Sequence, residues 1–100
     1  MNIIDDKIDK IKSYCEQYDV ERLFLFGSIT SENFTNNSDV DILIKFKNIP
    51  SEKYADNYFI LHDLFEKVFN RKVDLITEKS LSNPYFIKRL NQTKVLIYEK

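Results

Sequence analysis

The sequence predicts one α/β (α+β) domain: a mixed sheet of about four strands with helices packed on one face. Three observations lead there. Apolar stripes of helical period alternate with apolar runs of strand length, in the order α-β-(loop)-β-α-β-α-β. The only glycine in 100 residues, Gly27, closes one of those runs. Two aspartates, Asp39 and Asp41, open the next run, and a third, Asp74, lies inside a later one.

The elements follow in order. Ile4, Ile8, Ile11, Cys15 and Tyr18 recur at i, i+4, i+7, i+11 and i+14, so residues 3–18 are expected as one amphipathic helix. Val20 to Phe26 reads as a strand broken by Gly27. Residues 29–38 are polar, with turn formers at Asn36-Asn37-Ser38, and Ser28 is placed to open a short helix. A second strand runs from about Asp39 to Phe46. Val40, Ile42, Ile44 and Phe46 share one of its faces, and Asp39, Asp41, Leu43 and Lys45 the other. Ser51 is expected to cap a helix reaching about Phe69, with the stripe Tyr54, Tyr58, Leu61, Phe65 and Val68. Asn70-Arg71 turns the chain into a strand from Lys72 to Thr77. Ser80 or Ser82, with Pro84, then starts a helix through Asn91, and Val95 to Tyr98 is a last strand.

Composition narrows the function classes. A chain of 100 residues is domain-sized, so residues 1–100 are read as one domain. With 43% apolar residues it can form a core without disulfides. Cys15 is the only cysteine, which fits a reducing compartment. The opening MNIIDDKIDK is acidic and amphipathic, unlike a signal sequence, and no apolar run approaches the ~20 residues that span a bilayer. A cytoplasmic protein with no membrane partner is expected. Net charge −1 speaks against a dedicated nucleic-acid binder. The charge is nonetheless uneven: residues 1–70 hold 8 Lys/Arg against 13 Asp/Glu, residues 71–100 hold 7 against 3. The basic end is either a solvated surface or an attraction for an acidic ligand or partner.

The chemistry concentrates on a few residues. Asp39 and Asp41, two apart on a strand, point to one face, and Asp74 joins them if the strands pair in register. Carboxylates brought together raise one another's pKa, and divalent cations relieve that repulsion. All-oxygen donors favour Mg²⁺ or Mn²⁺ over zinc. Two such ions could serve phosphoryl or nucleotidyl transfer. The backbone after Gly27 and the Ser28 hydroxyl are the expected cradle for a nucleotide's outer phosphates. His62 is expected to be a satisfied surface histidine and Cys15 a packing residue. Phe59 and the Tyr85-Phe86 pair are candidates for a partner surface, weighed against ordinary exposed aromatics.

Gly27-Ser28, ten residues, then Asp39-Val40-Asp41 resembles the G-S-x(10)-D-x-D signature of the nucleotidyltransferase superfamily, and the short length resembles its minimal branch, often the antitoxin of a HEPN-domain ribonuclease toxin. The resemblance implies that Asp39 and Asp41 bind the metals. It further implies that Asp74 is a third metal ligand and helps deprotonate the attacking hydroxyl. The activity implied is transfer of AMP from ATP to a toxin tyrosine, with two Mg²⁺ ions and a hetero-oligomer with the toxin. One stretch departs from the pattern. Ile29-Thr30-Ser31-Glu32 stands where relatives commonly carry a basic, glycine-containing segment, which leaves Lys45 or Arg22 as candidates for the missing contact. Two rival readings remain open: an antitoxin acting by binding alone, and the catalytic subunit of a small-molecule nucleotidyltransferase.

Overall fold

The structure, a computed structural model, describes residues 2–31, 34, 35 and 37–100, with side chains from residue 4 onward. Glu32 of the departing stretch and Asn36 of the expected turn lie outside the described residues. The elements are α1 (Asn2–Asp5), α2 (Ile8–Gln17), β1 (Val20–Phe26), β2 (Val40–Phe46), α3 (Ser51–Phe69), β3 (Val73–Thr77), α4 (Pro84–Thr93) and β4 (Val95–Glu99). Short 3₁₀ turns span Gly27–Thr30 and Glu78–Ser80.

The single helix expected over 3–18 is broken at Asp6-Lys7. Lys7 precedes α2 at φ −113°, ψ −9°, and its N–H donates to Ile4 O at 2.9 Å. Asp5 and Asp6 are poor helix-interior residues, whereas Asp9 in the first turn of α2 suits the helix dipole. Pro50 rather than Ser51 holds the cap position of α3, with no side-chain cap bond, and Ser51 is the first helical residue. α4 is capped by Asn83 rather than by Ser80 or Ser82: Asn83 Oδ1 accepts from the amides of Tyr85 (2.9 Å) and Phe86 (3.2 Å).

The sheet order is β3-β2-β1-β4. β1 pairs antiparallel with β2 and β4, and β2 pairs parallel with β3, so the sheet is mixed as expected. A bulge between Val20 and Arg22 puts Val20, three residues from Leu23, on the same face as Leu23 and Leu25. That face also carries Val40, Ile42, Ile44, Phe46, Val73 and Leu75, and it meets Ile11 and Cys15 of α2 and Leu61, Phe65 and Phe69 of α3. Burial pushes the Cys15 thiol up to about 12, which keeps it protonated and inert. The one buried polar side chain among the described residues, Asn57, donates to Tyr18 O at 2.9 Å and so closes the end of α2.

α2 and α3 cover one face, as expected. α4 lies on the other: Phe86 and Leu90 pack with Phe24, Phe26, Leu43 and Ile76 in a second, smaller cluster. The fold class holds with that refinement, and the refinement matters, because α4 is thereby brought to the aspartate-bearing face. The outer edge of β3 is capped from α3. Tyr58 Oη donates to Leu75 O at 2.6 Å, Val73 N–H donates to Glu66 Oε2 at 2.9 Å, and His62 Nε2 lies 2.9 Å from Val73 O. His62 is thus the satisfied histidine the sequence led us to expect. No helix among the described residues is long and apolar enough to cross a membrane.

Candidate active site

Three strand ends build the site. β1 delivers Gly27 at its C-terminus, and β2 and β3 deliver the aspartates near their N-termini. Asp41 stands opposite Phe26 across the β1–β2 ladder and opposite Asp74 across the β2–β3 ladder. The register on which the placement of Asp74 depended is therefore the one that joins it to Asp41. Asp39 lies just outside β2, fixed from both sides. Val40 N–H donates to Lys72 O at 3.0 Å, and Arg71 Nη1 donates to Thr35 O (3.0 Å) and Ser38 O (3.1 Å) with its guanidinium 4.7 Å from the Phe34 ring centre. Arg71, read from sequence only as a turn residue, clamps the segment that ends on Asp39.

Gly27 adopts φ +74°, and a Cβ built there would strike the Asp41 carboxylate. Glycine is required for the backbone conformation and for room to seat Asp41 beside the turn. The 3₁₀ turn that follows is held by Thr30 Oγ1 donating to Gly27 O at 2.8 Å and by Ser31 N–H donating to Ser28 O at 3.0 Å. Ile29 anchors it, 4% exposed within the main core. The departing stretch thus has a physical reading: the residue after Gly27-Ser28 is a core plug, and the turn presents no cation there.

Burial, then repulsion from Asp74 and from Asp39, pushes the Asp41 carboxyl up to about 6. This has a consequence for the metal-free protein. The folded chain binds the Asp41 proton more tightly than the unfolded chain, where the ordinary value is 3.8. The associated stability is fully present below pH 3.8 and lost as pH rises through about 6. Against Asp41→Asn, the parent should therefore lose about 1 kcal/mol between pH 4 and 6.5, a figure discounted for screening at a partly exposed carboxylate. Denaturant titrations in chelator at both pH values measure it. A parent–variant difference that does not change with pH would contradict the shared-charge geometry.

Among the described residues, no three His, Cys, Asp or Glu side chains converge closely enough to form a ready-made metal cage. Asp39, Asp41 and Asp74 share a face and repel. The donor chemistry still fits a hard divalent cation: the three aspartates offer carboxylate oxygens alone, and burial and the neighbouring carboxylates disfavour charge on the central one.

The two cations suggested for the missing contact are engaged elsewhere. Arg22 makes a two-point pair with Glu78, Nε to Oε2 at 2.9 Å and Nη2 to Oε1 at 3.1 Å, and Lys45 Nζ lies 3.2 Å from Glu21 Oε2. Arg22 and Lys45 face each other four residues up the ladder from the Phe26–Asp41 pair, about 13 Å away at ~3.3 Å per residue. The charges lining a cavity of about 280 Å³ at that far end are engaged: Lys45 by Glu21, Glu78 by Arg22, and Lys79 over the Tyr54 ring. The cleft at Asp41, about 180 Å³, is lined by Phe26, Gly27, Asp41, Phe86, Arg89, Leu90 and Thr93. Arg89 and Thr93 were not singled out from sequence. They lie three and seven residues after Phe86, beside the Phe86–Leu90 stripe, and that periodicity is the signal that could have found them.

Comparison with known proteins shows the family. The family model described as Polymerase beta, Nucleotidyltransferase matches residues 9–100. The chain belongs to that nucleotidyltransferase family. A candidate protein adenylyltransferase of Methanocaldococcus jannaschii, MJ1379, is 37% identical over 84 residues, covering 82% of this chain and 81% of the relative. The nucleotidyltransferase fold recurs in a toxin–antitoxin crystal structure with AMP-PNP, at TM-score 0.73 and 18% identity over 94% of this chain and 74% of that one. It recurs in a complex of tri-AMPylated Shewanella oneidensis HEPN toxin with its MNT antitoxin, at TM-score 0.64 and 16% identity over 93% and 70%. The minimal-nucleotidyltransferase resemblance drawn from Gly27-Ser28 and Asp39-Val40-Asp41 is borne out.

Proposed function

We propose that this nucleotidyltransferase is an antitoxin that transfers AMP from ATP to a tyrosine hydroxyl of a HEPN-type ribonuclease partner, with which it forms a hetero-oligomer. The observation that carries the reading is the direct pairing of Asp41 with Asp74 beside the Gly27 turn, in a chain of this family. The adenylyltransferase relative and the AMPylated HEPN complex of the same fold support the choice of AMP and of partner.

In this reading Asp39, Asp41 and Asp74 hold divalent metal, Mg²⁺ by preference, which supplies Lewis-acid stabilisation of the charge developing on the phosphoryl oxygens. The turn backbone after Gly27 and the Ser28 hydroxyl hold the outer phosphates. The acceptor oxygen attacks the α-phosphorus, a new O–P bond forms, the bond to pyrophosphate breaks, and Asp74 takes up the acceptor proton. Arg71 and the β2–β3 ladder keep Asp39 at the edge of this face. A cleft of about 180 Å³ on an open sheet face suits a macromolecular acceptor that brings its own docking contacts. A binding-only antitoxin is the second reading, favoured by the core-plug role of Ile29.

Incubation with Mg²⁺, the HEPN partner and ATP labelled at the α-phosphate tests the proposal. Label should appear on a partner tyrosine and depend on the chain. Label that stays in free nucleotide, with the partner nevertheless silenced, would transfer the case to binding alone.

A further inference from the structure

Building on the nucleotidyl-transfer reading, we infer that Arg89 of α4 is the cation that receives the triphosphate of the incoming nucleotide, standing in for the basic residue that the turn after Ser28 lacks. The position after Gly27-Ser28 is occupied by the buried Ile29, and Arg22 and Lys45 are held by Glu78 and Glu21 at the far end of the ladder. Arg89 lines the same cleft as Gly27 and Asp41. It is exposed and forms no ion pair with any described residue. One cleft therefore carries an anion and a cation that form no ion pair with each other. A metal-bound polyphosphate has the matching alternation of charge, and a guanidinium is the side chain suited to hold phosphate oxygens at two points.

α4 is built to hold Arg89 there. Leu90 is 2% exposed, the Phe86 ring meets Phe26 edge-on at 6.0 Å, and Thr93 Oγ1 accepts from Gly27 N–H at 3.4 Å, so the helix is docked at three points around the cleft. The same helix accounts for part of the basic surplus in residues 71–100 noted from sequence.

The test is calorimetric binding of ATP and AMP, with Mg²⁺, to the parent and to Arg89→Gln, Arg89→Lys and Lys88→Gln. Arg89→Gln should weaken ATP about 10- to 100-fold, the scale of losing hydrogen bonds to a charged group, and leave AMP unchanged. Arg89→Lys should recover part of the loss. Lys88→Gln, an exposed neighbour outside the cleft lining, should bind as the parent does. Equal ATP binding by parent and Arg89→Gln, or equal loss of ATP and AMP, would overturn the assignment of Arg89 alone. A parent that binds no nucleotide would overturn the transfer reading and this inference with it.

Discussion

Asp39→Asn with Asp41→Asn abolishes nucleotidyl transfer while the domain stays folded and, free of metal, melts at a higher temperature than the parent. The loss follows from removing both negative charges, and one oxygen donor of each carboxylate, at the β2 start: metal stabilisation of a phosphoryl transition state is worth several kcal/mol, so transfer should fall about a thousandfold or more. The stabilisation follows from the Asp41 environment. Its carboxylate is desolvated and repelled by Asp74 and Asp39, and a neutral amide of the same shape relieves both at neutral pH. A gain of about 1 kcal/mol corresponds to roughly 4 °C or more in a domain of this size. Melting in chelator and transfer in Mg²⁺ are measured on the same preparations. A variant that melts far below the parent, or transfers at the parental rate, would make these aspartates structural.

Gly27→Val carries the second large effect. A β-branched residue at φ +74° is strained, by about 1–2 kcal/mol for the left-handed backbone alone, and its Cβ collides with the Asp41 carboxylate. The carboxylate is the movable party, so Asp41 is expelled from the site while the backbone pays the conformational strain. We expect a loss of about 2–3 kcal/mol in stability. Nucleotide binding should fall at least tenfold, because turn and metal face are disturbed together. Placing Gly27→Ala on an Asp41→Ala background isolates the collision: its cost to stability should shrink once the carboxylate is gone. ATP affinity unchanged by Gly27→Val would show that the turn does not meet phosphate.

Most of this site is local in sequence and was legible there. Period-two alternation assigns Val40, Ile42 and Ile44 to the core and Asp41 to the open face, and the structure follows it. The Asp41–Asp74 register is non-local, but one buried face on each parallel strand leaves few ways to align them. What was not legible depends on contacts between distant residues. The engagement of Arg22 by Glu78 spans 56 positions, and Lys45 is held from across the ladder by Glu21, so neither residue's name reveals that its charge is spent. The side of the sheet taken by α4 turns on the fit of Phe86 and Leu90 to Phe26 and Leu43, and Arg89 reaches the cleft only because of that fit. The bulge at the start of β1 and the break at Asp6-Lys7 are local, but neither is marked by glycine or proline.

The central claim, that the three aspartates transfer AMP to a partner, is tested most directly by the intact mass of the proposed HEPN partner. The partner is incubated with ATP, Mg²⁺ and either the parent chain or one in which Asp39, Asp41 and Asp74 are all asparagine. The parent should raise the partner's mass in whole AMP units and silence it, and the triple variant should do neither. A triple variant that binds and silences the partner as well as the parent does, with no mass change from either chain, would contradict the claim.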